Sequence, residues 1–240
     1  MPDSDKSLDV LGIKPVSEAI GTITKASTDG ASAFLSRICL PAAEEFGLLL
    51  RDKVSAWRAR NALAIAATAE KLFERLPNSA GRHAHPRIVG SIIENGSWAD
   101  EEEVRCMWAG LLASACTESG KSQENLIYVS LLAQLTPSQA KTLNFACEKA
   151  AKVKSETGLL LANQLTASLE EIVGASGTSD IHVLDLEVDH LRGLGVLDPQ
   201  SGLSPFSSRP SRLTPSAIGL QLYVRCQGYV GSPLEYFRLE

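Results

Sequence analysis

The chain has 240 residues, of which 44% are hydrophobic, 21% charged and 5% aromatic, and it carries a formal net charge of −5. That length suffices to bury a core for one large domain or two small ones. The acidic balance excludes a surface built throughout for nucleic acid, while leaving room for a local basic patch.

Sparse aromatics beside plentiful Ala and Leu predict helix rather than sheet. The first ten residues, MPDSDKSLDV, have neither the basic nor the apolar region of a secretory signal. The longest apolar runs, such as Ala62 to Ala69 and Gly158 to Ala162, fall well short of the ~20 residues that span a bilayer. Five cysteines, Cys39, Cys106, Cys116, Cys147 and Cys226, show no CxxC spacing. They read as core filling in a reducing compartment, so a cytoplasmic protein is expected.

Residues 1–30 are polar, with short apolar pieces, and read as a partly ordered tail with one short helix after Pro15. From Ala31 the texture turns helical. Pro41 opens or kinks a helix, and Phe46, Leu49, Leu50, Trp57, Leu72 and Phe73 mark one inward face. The alanines at 62, 64, 66, 67 and 69 favour helix and let a neighbour approach closely. Pro77 to Gly81 is a stop signal.

The strongest local pattern runs from Asp100 to Cys116. Val104, Met107, Trp108, Leu111, Leu112 and Ala115 form one stripe of a helix and are assigned to the core. Asp100 and Glu103 have capping-box spacing, and the acids of 100–103 suit a helix start. Ala109, Gly110, Ala113 and Ser114, on the back of the stripe, predict a second helix packed close.

Further helices are expected over 124–134 and 137–152, the latter with Thr136 as N-cap and Pro137 at its first position. Residues 158–173 read as helix broken near 163–166, with Thr166 as a candidate cap. A helix over 181–194 ends at Gly195. It is followed by a short strand at Val196-Leu197, a turn-rich loop to Ser211, a returning strand at Leu213-Thr214 and a closing helix. That order, with the helices before it, is that of a winged helix. The predicted fold is therefore mainly α: a polar tail (1–30), a helical bundle (31–134), a winged-helix-like module (135–230) and a short tail (231–240).

No phosphate loop, zinc helix, nucleophile elbow or dinucleotide fingerprint is present. His83-Ala84-His85 looks ligand-like, but no acid or cysteine lies at useful spacing, and an inter-helix loop explains it. The acids of 100–103 point in different directions from a helix and so do not converge on one ion. No catalytic residue, metal or cofactor is assigned.

Charge is uneven. Residues 31–90 hold nine Arg/Lys against five acids, and residues 91–124 hold two against seven. Complementary association surfaces and intramolecular contact both account for this. Arg51, Arg58 and Arg60 cluster around Trp57, and Arg and Trp are the residue types enriched at binding hot spots. This group is the candidate protein-binding surface; the competing reading has Trp57 in the core and the arginines solvating a helix. The candidate recognition helix and its lead-in carry Asp180, Asp185, Glu187 and Asp189 against Arg192 alone, the wrong balance for a phosphate-lined groove.

His85-Pro86-Arg87-Ile88, Ile92-Ile93-Glu94 and Met107 to Ser114 resemble the abortive infection alpha family of bacterial proteins. Pro41 to Gly47, Leu132 to Lys141, Leu194 to Leu197 and Leu213-Thr214 also fit, so the likeness covers roughly 35–226. The resemblance implies an association with phage defence and transfers no catalytic residue. The expected function is that of a non-catalytic interaction protein, an effector or regulator that binds a protein partner or a second copy of itself. The alternatives are a winged-helix transcription regulator and a cryptic enzyme.

Overall fold

A computed structural model describes residues 25–38, 56–76, 78–206 and 209–239. Its chain divides into two compact units, Met1–Ala133 with Arg225–Val230 and Gln134–Val224 with Gly231–Glu240. Helix dominates both.

The described part of the first unit holds α1 (Lys25–Ile38), α2 (Ala56–Phe73), α3 (Pro86–Gly96), α4 (Glu102–Ser114) and α5 (Asn125–Leu132). Helix α1 starts inside the stretch read from sequence as tail. The expected helix after Pro15, the break at Pro41, Cys39 and the apolar residues Phe46, Leu49 and Leu50 lie outside the described residues.

Helix α2 is the hub and packs on α1, α3 and α4. Its buried alanines at 59, 62, 66 and 69 recur at helical spacing. A face with so little side-chain bulk lets another helix come near. Phe34 of α1 meets Phe73 edge-on at 5.6 Å, and the Arg37 guanidinium lies within 5.6 Å of both ring centres. Ile38, Ile65, Ile88, Ile92, Leu111, Leu112 and Leu132 are the other largest fully buried side chains among the described residues. Trp57 is not one of them. Its helical phase is that of Arg60, Ala64 and Lys71, all exposed, which corrects its placement on the inward face.

Helix α4 starts at Glu102, with Glu101 at the N-cap and no side-chain bond there, so the expected Asp100–Glu103 box does not form. Its stripe is buried: Met107, Trp108, Leu111 and Leu112 are each at most 3% exposed. On its other side an ideal Cβ at Gly110 would fall 1.7 Å from the backbone oxygen of Cys226. The close neighbour is thus the chain at residues 225–230.

The second unit contains α6 (Pro137–Lys149), β1 (Lys152–Lys154), β2 (Leu160–Ala162), β3 (Thr166–Ala167), α7 (Leu169–Ser176), α8 (Ile181–Gly193), β4 (Ser211–Arg212), α9 (Ala217–Cys226, its last two residues in the first unit) and α10 (Pro233–Tyr236). Residues 158–167 are not helical. Leu160–Ala162 pairs antiparallel with Lys152–Lys154 around a turn containing Gly158 at φ 84°, and Thr166–Ala167 pairs antiparallel with Ser211–Arg212. A short apolar run bounded by such a turn suits strand as well as helix.

Helix ends here follow local chemistry closely. Thr136 and Gln139 form a reciprocal capping box on α6, Ser168 and Glu171 form one on α7, and the Asp180 carboxylate accepts from two backbone N–H groups of α8. The cap of α7 is therefore Ser168, not Thr166. Beyond α8, Leu197 bridges Pro215 and Gly202 bridges Arg212 around the 203–210 loop. Leu143, Ile172, Leu184, Val188, Leu191, Leu213 and Leu220 form the core.

Cys106, Cys116, Cys147 and Cys226 are thiols, and all but Cys106 are buried. Burial pushes the Cys116 thiol up to about 12 and raises that of Cys147 as well. Both stay protonated at neutral pH and shielded from reagents. Alkylation of the folded chain at pH 8, read by peptide mass, is expected to label Cys106 first among these four. Equal labelling of Cys116 or Cys147 before unfolding would contradict their placement.

Candidate protein-association surface

The arginine–tryptophan cluster read from the sequence divides in the structure. Arg51 lies outside the described residues. Arg60 is exposed on α2, and Trp57 is 36% exposed. Arg58, at 6% exposure, points inward to the C-terminal end of α3. Its Nε donates to Ser97 Oγ at 3.0 Å, and its Nη2 donates to the Glu94 carbonyl at 3.0 Å and lies 3.2 Å from the Glu94 carboxylate. Asn61, one turn along α2, adds a bond from Nδ2 to the Ser97 carbonyl at 3.0 Å. These donors satisfy acceptors that the end of α3 would otherwise leave open.

The residue that sequence reasoning missed is Trp98. It follows the Ser97 C-cap and is 60% exposed. The Arg58 guanidinium lies 4.1 Å from its ring centre, in cation–π range. Trp57 meets it at 6.0 Å between centroids with the planes tilted by 57°. Arg58 thus acts from beneath: it fixes the α3 end and holds one Trp98 face, while Trp57 and Trp98 together present a rigid aromatic ridge beside Arg60. Nothing in the spacing of Trp57 and Trp98 announced the pair, because the packing of α3 on α2 creates it.

Aromatic side chains exposed in contact with each other, on a base fixed by a buried charge network, have the features of a protein docking patch. Little conformational entropy remains to be lost there on binding.

Other clusters have structural duties. His85 caps α3 through its Nδ1, which accepts from the Arg87 N–H, and His83 Nδ1 lies 3.2 Å from the Arg37 carbonyl. Among the described residues no three His, Cys, Asp or Glu side chains are grouped to hold a metal ion. In the second unit Ser138 and Thr136 donate to the two carboxylate oxygens of Glu187 at 2.5 and 3.0 Å. The imidazole of His190 bonds Gln139 Nε2 at 3.0 Å. The cluster joins the start of α6 to α8, with the serine bonded to a carboxylate rather than activated by the imidazole.

On α8, Asp185, Leu186 and Asp189 face outward, and Arg192 is engaged by Asp189 at 2.7 Å and by the Ser201 carbonyl at 3.0 Å. Among the described residues no helix is long and apolar enough to cross a membrane.

A family model described as abortive infection alpha matches residues 60–208. The match takes in Arg60, Trp98 and all of α8, and begins just past Trp57 and Arg58. No curated protein and no solved structure matches the chain.

Proposed function

The chain belongs to the abortive infection alpha family, which associates it with phage defence, and from that premise we propose that it acts by binding protein rather than by catalysis, as an effector or regulator in the bacterial cytoplasm. The observation that carries this reading is the exposed Trp57–Trp98 pair fixed from beneath by Arg58. Large exposed aromatics cost solubility, and binding is the function for which such side chains are most often displayed.

The second unit fits the same reading. Its order of helix, β3, two helices and a pair of bridged segments around a loop supports a winged-helix-like module. The outward face of α8, the position of a recognition helix, shows Asp185, Leu186 and Asp189, and its arginine is tied down within the unit. A surface of that kind repels phosphate and suits a protein.

The test is protection against phage plaquing by Trp57→Ser/Trp98→Ser. Arg58 is left alone because removing its buried guanidinium would disturb the fold. Loss of protection with an unchanged thermal melt is the expected result. Full protection by the folded double variant would remove this surface from the function.

A further inference from the structure

We draw no further inference here: the strongest candidate, the apolar groove of the second unit lined by Leu169, Ile181 and Phe206, is an unpartnered surface, and nothing in the structure shows what covers it.

Discussion

Gly110→Ala is expected to cost the first unit about 3 kcal/mol or more, from one added methyl group. The new Cβ would lie 1.7 Å from the backbone oxygen of Cys226, 2.2 Å from its carbonyl carbon and 2.9 Å from its Cα. No rotamer change relieves an overlap with backbone. Either α4 or the 225–230 segment must withdraw, and α4 is held on its other faces by α2 and α3. By the usual scaling this lowers the melting temperature of that unit by roughly 10 °C. The control is Gly174→Ala in α7, where a Cβ meets nothing within 4 Å. That change is expected to be neutral or to stabilise by ~0.5–1 kcal/mol, through helix propensity. Equal melting of Gly110→Ala and wild type would show that residues 225–230 do not lie against α4.

Trp108→Ala is expected to cost ~3–5 kcal/mol. The indole is 3% exposed in the middle of the α4 stripe. Gly96, at the end of α3, lies so near that a Cβ there would come within 2.9 Å of Trp108 Cγ and of Ile65 Cδ1. Truncation opens a cavity at the meeting of three helices, each pinned by other contacts, so the site has little freedom to collapse. Denaturant unfolding measures the loss, and fluorescence gives a second readout. The chain has three tryptophans, and Trp57 and Trp98 are the exposed ones. Removing Trp108 should therefore shift native emission to the red. A melt like that of wild type would displace Trp108 from the core.

Periodicity and end chemistry made several elements legible. The α4 stripe, the Thr136-Pro137 start of α6 and the stop of α8 before Gly195 all rest on interactions within a few residues, and the structure has each of them. The small residues of α4 announced a close neighbour but could not say which, since Cys226 is distant in sequence. The strands of 160–167 were misread because their pairing partners, above all Ser211–Arg212, lie elsewhere in the chain. Local pattern does not record such pairing.

The surface was legible in part for the same reason. Residue type singled out Trp57, Arg58 and Arg60, yet helix phase and tertiary contact assigned them opposite roles: Trp57 and Arg60 face out, while Arg58 is buried against Glu94, Ser97 and Trp98. Trp98, isolated after the end of α3, had no periodic context to mark it.

The most direct test of action through protein association places a photo-crosslinking phenylalanine analogue at position 98 of the full-length chain. Cells are irradiated during phage infection, with the same analogue at exposed Glu156, in the β1–β2 turn, as control. Discrete protein adducts at position 98 and none at 156, in cells that remain protected, are the predicted result. Intact protection with no adduct at position 98 would contradict it.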